Sequence, residues 1–493
     1  MAGHILVIDE GTTSTRAFVF DRGLVPVAMA QQELELTYPQ DGWVEQDAER
    51  IWQASLAVAK EALEACGGAG EVEAVGITNQ RETTLIWERA TGRPIGPAIV
   101  WQDRRTAPLC ETLRGKGVAD EVEATTGLLV DPYFSATKIA WLIEAHGLDR
   151  QELDAGHYAF GTIDSWLIWK LTGGRVHATD CTNAARTALM DLETNRWSPE
   201  MAGIFDVPIA LLPQIRPSGA AFGTCDEAVL GSALPISAVL GDQQAALVGQ
   251  GCLSPGQGKI TLGTGAFLVA NTGQVRPRSD HALLATRGYD TGLGQSAYAL
   301  EGAIFNAGTV VKWLRDEMGL IDAAADSEAI AKQAGSAGGV HFVPAFTGLG
   351  APHWDAGARG EITGITRSTR AGHIVRAGLE AVAYQTHDRL GAFAADGAGV
   401  ETLRVDGGMA ANDWLMQFMA DVCDVQVERP GQTEMTALGA AAMAAFQLGW
   451  TTPSDWAGRR EELSRFTPDM PAAEREKLLA GWRAAVRKAT LSA

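Results

Sequence analysis

The sequence is poor in basic residues relative to acidic ones. Forty Lys and Arg stand against 60 Asp and Glu, which gives a formal net charge of −20. A chain with this balance has no overall attraction for nucleic acid or for an anionic membrane surface. We therefore expect no nucleic-acid partner, and any phosphate site must be local, built from backbone N–H groups, a few basic side chains or a metal ion.

Paired cysteines and long apolar runs are also missing. The six cysteines are scattered without a CxxC pair, which argues against a disulfide framework or a zinc site and indicates a reducing compartment. No apolar run approaches 18 residues, so we expect no membrane insertion. The opening residues, MAGHILVIDEG, indicate a strand rather than a signal peptide. These features predict a cytoplasmic protein.

The chain has no GxxxxGK[ST] motif, which excludes a P-loop, and no repeat of 20–50 residues. At 493 residues it is long enough for two to four domains. Predicted strands and helices alternate, which favours an α/β fold. DAERIWQASLAVAKEALEACGG predicts a helix capped at Asp47, and TTLIWERATGRPIGPAIVWQ predicts a hairpin with Thr91 and Gly92 at its turn.

Two segments share the plan strand, Gly-Thr-small turn, strand. They are IDEGTTSTRAFVFD and ITLGTGAFLVANTG, and they begin the two halves of the chain. We interpret this similarity as two α/β domains of similar plan, residues 1–250 and 251–493, which face each other across a cleft.

The first of these turns has the composition of a phosphate site. Gly11 lets backbone N–H groups approach a phosphate, since no Cβ blocks them. The hydroxyls that follow add donors, and Arg16 adds a planar fork of positive charge. Asp9, at the end of the strand, is suited to hold Mg²⁺ directly or through water. The alternative is an ordinary hairpin turn rich in Gly and Thr.

A third turn, VDGGMAAND, has features suited to a nucleoside. Gly407 and Gly408 allow a flat ring to lie on the backbone, and Asn412 offers an amide at a helix start. A simple strand-to-helix turn explains the same residues.

Polar and aromatic residues at other strand ends form a possible binding set for a small polyol. Arg81 and Glu82 follow a predicted strand, and Tyr133 follows a proline. Asp242 comes after another strand, where it can accept a proton from a substrate hydroxyl. Gln243 adds hydrogen bonds, while Trp101 and Phe267 are suited to pack on carbon atoms. Individually, these residues also fit a surface pair, a loop tip and a helix N-cap.

The chain resembles the FGGY carbohydrate kinases over nearly its full length. The resemblance rests on ordered motifs that include IDEGTTSTR, GITNQRETTLIW, VWQDRRT, GDQQAALVGQ, TLGTGAFLVANTG and VDGGMAAND. The combination of NQRET, DPYFS and GDQQAAL is typical of the glycerol branch of this family. The resemblance implies two actin-like domains of the ribonuclease-H type, which close over ATP and glycerol. It also implies transfer of the γ-phosphoryl group to glycerol, giving sn-glycerol 3-phosphate.

The resemblance also implies roles for individual residues. The expected glycerol site consists of Arg81, Glu82, Tyr133, Asp242 and Gln243, with Trp101 and Phe267 against the carbons. The expected ATP contacts are Thr12, Thr13, Ser14 and Arg16 from the first domain, and Thr264, Gly308, Gly408 and Asn412 from the second. Asp9 is expected to serve Mg²⁺, and Asp242 to act as the base. We further expect a homo-oligomer, either a dimer or a tetramer.

Two positions depart from the family pattern. Lys312 stands where many relatives have glutamine near the adenine or ribose, and we expect it to contact the nucleotide. The alternative is that the lysine reaches solvent or a phosphate instead. Some bacterial members bind an inhibitory sugar bisphosphate through an arginine in the loop before the catalytic Asp. Here Ser232, Ala233 and Leu234 offer no cation.

Other FGGY sugar kinases, a non-catalytic actin-like nucleotide-binding protein and a pseudokinase scaffold remain alternative functions.

Overall fold

The computed structural model describes residues 3–350, 353, 355, 357–432, 434–459 and 463–491. The strands of the first half are β1 (His4–Glu10), β2 (Ser14–Phe20), β3 (Pro26–Glu33), β4 (Glu45–Gln46), β5 (Val72–Asn79), β6 (Leu85–Glu88), β7 (Ala98–Ile99), β8 (Tyr158–Gly161), β9 (Ala178–Asp180), β10 (Met190–Asp191), β11 (Arg196–Trp197), β12 (Gln214–Arg216) and β13 (Ile236–Gly241). Its helices are α1 (Ala48–Ala65), α2 (Ala107–Gly115), α3 (Ala119–Thr126), α4 (Ser135–Ala145), α5 (Arg150–Asp154), α6 (Ile163–Leu171), α7 (Cys181–Ala184), α8 (Pro199–Ile204), α9 (Glu227–Leu230) and α10 (Asp242–Gly249).

The second half has the same mixture of strands and helices. Its strands are β14 (Gln257–Leu262), β15 (Ala266–Gly273), β16 (Leu284–Asp290), β17 (Ser296–Ile304), β18 (His341–Val343), β19 (Glu361–Thr363), β20 (Thr402–Asp406), β21 (Gln426–Pro430) and β22 (Leu463–Phe466). Its helices are α11 (Gly308–Asp316), α12 (Asp326–Ala334), α13 (Ala371–Ala395), α14 (Asp413–Cys423), α15 (Met435–Leu448), α16 (Pro453–Gly458) and α17 (Ala472–Leu491).

The first half is organised around a five-stranded sheet of order β13-β5-β1-β2-β3. β1 and β2 form the predicted antiparallel hairpin, and β1 pairs in parallel with β5 on its other side. Leu6 and Ile8 pack with α1 on one face, whereas Ile5 and Val7 pack with the alanines of α15 on the other. Because both faces are covered, the strand is an almost continuous apolar run.

The second half repeats this plan in a seven-stranded sheet of order β16-β17-β15-β14-β20-β21-β22. β14 and β15 form the second predicted hairpin, and β14 pairs in parallel with β20. The strand, turn, helix and strand predicted from VDGGMAAND and its flanks are β20, a short turn, α14 and β21. The two halves are therefore alike in two respects. Each has an antiparallel hairpin, and the first strand of each hairpin also pairs in parallel with a later strand.

The two halves meet where α10 crosses α15. The crossing requires glycine, because a Cβ on Gly439 would lie 1.8 Å from the Ala245 carbonyl oxygen and one on Gly249 would lie 2.0 Å from that of Met435. Backbone therefore packs directly on backbone at this contact. The division at residue 250 stays a proposal, since α15 of the second half also covers the sheet of the first.

The hairpin predicted around Thr91 and Gly92 is present. Its arms are joined by antiparallel bridges from Trp87 to Pro94 and from Thr84 to Ile99, and the Ile95 N–H donates to the Ile86 carbonyl oxygen over 3.0 Å. On its other edge, β6 pairs along its length with β8. Within the described residues, no helix combines the length and the apolarity that a membrane crossing requires.

Candidate active site

The first turn, residues 11–13, joins β1 to β2 and carries charge on both sides. The Gly11 N–H donates to the Ser14 carbonyl oxygen over 3.0 Å, which closes the turn. Asp9 and Arg16 are paired across the hairpin, and Arg16 Nη2 donates to Asp9 Oδ2 over 2.5 Å. Thr12, Thr13 and Ser14 are at least partly exposed here. The predicted phosphate residues therefore lie together beside an ion pair.

Burial strongly affects the acids of this turn. Desolvation raises the pKa of Asp9 to about 6, although Arg16 acts in the opposite direction. Burial also raises the pKa of Glu10 well above its usual range, and Gln80 donates to this carboxylate. Nearby Asp242 adds to both shifts. Negative charge is costly at this position until a cation or a proton neutralises it.

Asp9 fits a magnesium site of the one-carboxylate kind. Among the described residues, no group of three or more His, Cys, Asp or Glu side chains is arranged to hold a metal. Mg²⁺ typically keeps several waters and takes one or two carboxylates together with substrate phosphates, so a dedicated cage is not required. The oxygen donors and raised pKa of Asp9 suit that arrangement.

The second turn, residues 263–265, joins β14 to β15 and carries no charged side chain. Its carbonyl groups accept hydrogen bonds from the start of α11. The Gly308 N–H donates to Gly263 over 2.9 Å, and the Thr309 N–H donates to Thr264 over 3.0 Å. A Cβ on Gly308 would lie 2.5 Å from the Gly263 oxygen. Thr264 itself is exposed, and glycine keeps the helix close behind it.

The third turn is part of a capped helix start. Gly407 has φ +89°, and a Cβ on it would lie 2.5 Å from the Leu262 carbonyl oxygen of the second hairpin. Space around Gly408 is open to 4 Å. Asn412 Oδ1 accepts from the Leu415 N–H over 2.9 Å as the N-cap of α14, so its amide nitrogen is the end suited to a nucleotide. The simple strand-to-helix role is thus also fulfilled.

Lys312 is exposed on α11, about one helical turn beyond Gly308. Its proposed contact with the nucleotide stays a prediction.

Arg81 and Asp242 come together because their strands are neighbours. β5 and β13 pair in parallel and end at the same edge, with Gly241 opposite Asn79. Arg81 Nε lies 3.1 Å from Asp242 Oδ1, and the guanidinium is almost fully buried. Two separate sequence motifs therefore form one charged centre.

Glu82 lies next to this centre in an unusual backbone conformation. Its φ is +59°, a left-handed value that few residues other than glycine adopt. Its carboxylate accepts from Arg186 Nε over 2.5 Å. The Arg186 guanidinium also lies 5.3 Å from the centroid of the Tyr133 ring. Strain of this kind often occurs at functional sites, where the surroundings hold one side chain in place.

Trp101 links the first turn to the polyol residues. Its indole Nε1 donates to Thr12 Oγ1 over 2.9 Å. Its ring centroid lies 5.7 Å from that of Tyr133 and 6.3 Å from that of Phe267, which belongs to β15 in the other half. The three rings therefore form an aromatic wall between the two sheets, beside the turn expected to hold phosphate.

Asp242 is the first residue of α10, and Gly241 occupies the N-cap position. The structure therefore does not support the alternative role of Asp242 as N-cap. Its Oδ1 accepts from the Gln243 N–H over 2.7 Å, and Oδ2 accepts from Gln243 Nε2 over 3.2 Å. About a third of the side chain is exposed (34%), so the carboxylate is held in place yet accessible.

Several charged residues of this centre were not singled out from the sequence. Glu301 on β17 accepts from both Arg81 and Arg186, and Lys259 on β14 donates to Gln243. Burial tends to raise the pKa of Glu301, but Arg186 and Arg81 outweigh burial and hold it at about 2. A charged residue inside an apolar strand, as in AYALEGAI and GKITL, is the signal that indicates such positions.

The fold and this constellation can be compared with known proteins. The model of the FGGY family of carbohydrate kinases, N-terminal domain, matches residues 4–249, and that of the C-terminal domain matches residues 258–448. The chain belongs to the FGGY family of carbohydrate kinases. Membership confirms the predicted α/β fold with two actin-like domains.

Individual FGGY kinases resemble the chain along its whole length. A glycerol kinase of Rhodospirillum centenum is 53% identical over 490 residues, covering 98% of this chain and 97% of that protein. A glycerol kinase of Rhodospirillum rubrum is 52% identical, covering 98% of each. The solved structure of Plasmodium falciparum glycerol kinase with ADP is 36% identical, with a TM-score of 0.94 over 99% of this chain and 98% of that one.

A gluconate kinase from Lactobacillus acidophilus shares the fold, with a TM-score of 0.89 over 99% of this chain and 98% of that one. At 22% identity, this likeness concerns the fold alone.

Proposed function

We propose that this FGGY kinase transfers the γ-phosphoryl group of ATP to a terminal hydroxyl of glycerol, giving sn-glycerol 3-phosphate. The observation that carries the proposal is the joining of Arg81 and Asp242 in one centre, with Glu82 beside it. The aromatic wall of Trp101, Tyr133 and Phe267 lies against the first turn. Charged side chains that can hydrogen-bond to hydroxyl groups, placed beside an apolar surface, suit the binding of a small polyol. The kinases named glycerol kinase that match at about half identity add support.

Asp242 is the proposed general base. Arg81 and Gln243 fix its carboxylate through hydrogen bonds and an ion pair, which leaves it accessible but oriented. As the new O–P bond forms, the bond between the γ-phosphorus and the β–γ bridging oxygen breaks, ADP leaves, and the attacking hydroxyl gives its proton to this carboxylate. Phosphoryl transfer depends mainly on positioning and charge stabilisation, and a fixed base at the end of a buried strand meets that need.

The remaining polyol residues would hold the other hydroxyls and the carbon chain. Arg81, Glu82, Tyr133 and Gln243 offer donors and acceptors, and Trp101 and Phe267 offer ring faces and edges to the CH groups. Because Arg81 and Glu82 are buried and charged, a substrate that lacks a hydroxyl would leave a buried charged group without that partner, which selects against such a substrate.

ATP would be bound from both domains. From the first domain, Thr12, Thr13, Ser14 and Arg16 would contact the phosphates. From the second, the contacts would come from Thr264, Gly308, Lys312, Gly408 and Asn412. The glycines at these turns let nucleotide atoms approach the backbone, where N–H groups bind negative charge without adding net positive charge to the protein.

Asp9 is the proposed ligand of Mg²⁺, directly or through a water molecule. The bound ion would neutralise charge on the ATP phosphates. Arg16 holds one carboxylate oxygen of Asp9 and also pairs with Glu434 of the second half. These contacts hold the Asp9 carboxylate in place beside the first turn.

We further propose that the protein works in the cytoplasm as a homo-oligomer, a dimer or a tetramer. All six cysteines are free, and four of them are buried, as expected in a reducing compartment. Light scattering after size-exclusion chromatography tests the oligomeric state.

The decisive experiment is an ATP-dependent assay across glycerol, dihydroxyacetone, xylulose and gluconate, with the stereochemistry of the product determined. We expect glycerol to have the highest kcat/KM and the product to be sn-glycerol 3-phosphate. A higher kcat/KM for xylulose or gluconate would assign another branch of the family. Nucleotide binding without phosphorylation of any acceptor would favour the non-catalytic alternative.

A further inference from the structure

Glu301 makes contacts that no other carboxylate of the candidate site makes within the described residues. Its Oε2 accepts from Arg81 Nη1 over 2.5 Å, and its Oε1 accepts from Arg81 Nη2 over 3.1 Å. The same Oε1 accepts from Arg186 Nη2 over 3.1 Å. The side chain is 1% exposed. One buried carboxylate therefore fixes two guanidinium groups in a two-pronged geometry.

Those two guanidinium groups contact the two carboxylates of the proposed polyol site. Arg81 contacts Asp242 through Nε, and Arg186 contacts Glu82 through Nε. Arg186 Nη1 is buried without a hydrogen-bond partner among the described residues. Acceptors are thus already scarce around Arg186, and loss of Glu301 would leave more buried positive charge without a partner.

Glu301 also belongs to the other half of the molecule. Arg81, Glu82 and Arg186 lie in the first half, whereas Glu301 lies on β17 of the second sheet. β17 ends at Ile304, whose carbonyl oxygen packs so closely on the second turn that a Cβ on Gly265 would lie 2.6 Å away. One strand therefore touches both the polyol centre and the turn proposed to bind nucleotide.

We propose that Glu301 is a positioning residue for glycerol: from the nucleotide-binding half, it orients Arg81 and, through Arg186, Glu82. The site for the polyol is then complete only when the second half is docked against the first. This inference rests on the proposed glycerol kinase activity and assigns Glu301 no direct contact with substrate.

Glu301→Gln tests the inference, since it keeps the shape of the side chain but removes its charge. We expect the KM for glycerol to rise by on the order of ten- to a hundredfold, because weakened charge-assisted hydrogen bonds misplace two binding residues. The KM for ATP should change by less than about threefold. A purely structural role would instead lower the amount of folded protein and leave both constants of the folded fraction unchanged.

Glu428→Gln is a matched control. Glu428 is also a buried carboxylate of the second half that accepts from two arginines, at 3.1 Å from Arg404 Nε and 3.2 Å from Arg465 Nε. Its partners lie outside the proposed polyol centre. This variant should lower the melting temperature while leaving the KM for glycerol unchanged.

Glu301→Asp keeps the inference testable if the Gln variant does not fold. The charge is retained, but the carboxylate is drawn back by one methylene, so the KM for glycerol should rise less than in Glu301→Gln and still exceed that of the parent. An unchanged KM for glycerol in the folded variant, or an equal rise in both KM values, overturns the inference. A parent protein that phosphorylates no glycerol overturns the proposed function itself, which is a separate outcome.

Discussion

The two hairpins that face the cleft have the same backbone plan but opposite chemistry. In the first, the two residue pairs nearest the turn are Glu10 with Thr15 and Asp9 with Arg16. In the second, the corresponding pairs are Leu262 with Ala266 and Thr261 with Phe267. Next to its turn, the first hairpin therefore carries acids and a guanidinium, whereas the second carries no charged side chain there, since Lys259 of β14 lies farther from the turn.

This difference indicates a division of labour across the cleft. Charge in the first half, from Asp9, Arg16 and the nearby Asp242, suits neutralisation and proton transfer during phosphoryl transfer. The second turn is fixed by backbone hydrogen bonds to α11, which suits recognition of shape. Substitutions in the first hairpin should therefore change mainly kcat, and those at the second turn mainly the KM for ATP.

The largest effect should follow Asp242→Asn. The substitution keeps the shape and one acceptor oxygen but removes the proposed base, and general-base catalysis is typically worth about 10²–10⁴-fold in rate. We expect kcat to fall on that scale, glycerol affinity to weaken less, and the KM for ATP to stay nearly constant. Steady-state kinetics and calorimetric binding of glycerol measure these quantities.

A near-normal kcat for Asp242→Asn would contradict the role of base. The melting temperature provides the control, since a large decrease would attribute the lost rate to misfolding instead.

Asp9→Asn should have the second largest effect. It tests the residue of the first hairpin that we propose as the ligand of Mg²⁺. Residues that support a metal site typically contribute about 10–100-fold to metal affinity or activity. The Mg²⁺ concentration needed for half-maximal rate should rise on that scale. Equal activity and Mg²⁺ dependence in the variant and the parent would remove Asp9 from the proposed site.

The same variant should also differ from the parent in how its free energy of unfolding depends on pH. Because burial raises the pKa of Asp9 from 3.8 to about 6, the folded protein keeps a proton in that window that the unfolded chain has released. The contribution of Asp9 to the free energy of unfolding is thus present below this window and is lost as pH rises through about 6. The stability of the parent relative to Asp9→Asn should decrease from pH 4 to 7. Urea denaturation at several pH values measures it, and a constant difference would contradict the raised pKa.

Gly308→Ala tests the uncharged side and should have a smaller effect. The new Cβ would lie 2.5 Å from the Gly263 carbonyl oxygen, so α11 and the second turn must separate. Overpacking of this kind costs about 1–3 kcal/mol. The KM for ATP should rise up to about tenfold while kcat changes little.

Gly391→Ala is the matched control for Gly308→Ala. It lies in α13 with no atom within 4 Å of the new Cβ, and it should leave both constants unchanged. If Gly308→Ala instead lowered kcat on the scale expected for Asp242→Asn, the proposed division between the first hairpin and the second turn would be wrong.

The sequence predicted the local elements well and the long-range partners poorly. The β1–β2 hairpin follows from an apolar run and a glycine turn, and α1 follows from its cap at Asp47. The pairing of β6 with β8, which lies about 70 residues farther along the chain, was not predicted. Local pattern contains no information about such pairing.

For the candidate site too, the local sequence indicated individual residues but not the long-range contacts between them. Arg81 and Asp242 could be named because each follows a strand, but their contact depends on β5 and β13 being neighbours. Glu301 was missed because it lies inside an apolar strand, where an acid has no local role. Its function becomes visible only when the other half of the molecule brings Arg81 to it.

The last prediction is that an added anion has no effect on activity, and it concerns a loop away from the cleft. If a phosphate in this acidic protein needs a cation such as Arg16, the loop between α9 and β13 should not bind fructose 1,6-bisphosphate. No Arg or Lys occurs from Val229 to Gly241, and Arg175, near the start of α9, is already paired with Asp226 at 2.8 Å. Activity titrated with this bisphosphate should therefore stay constant. Strong inhibition that is abolished by substitution of Ser232 would contradict the prediction, whereas inhibition that competes with ATP would place the anion in the cleft.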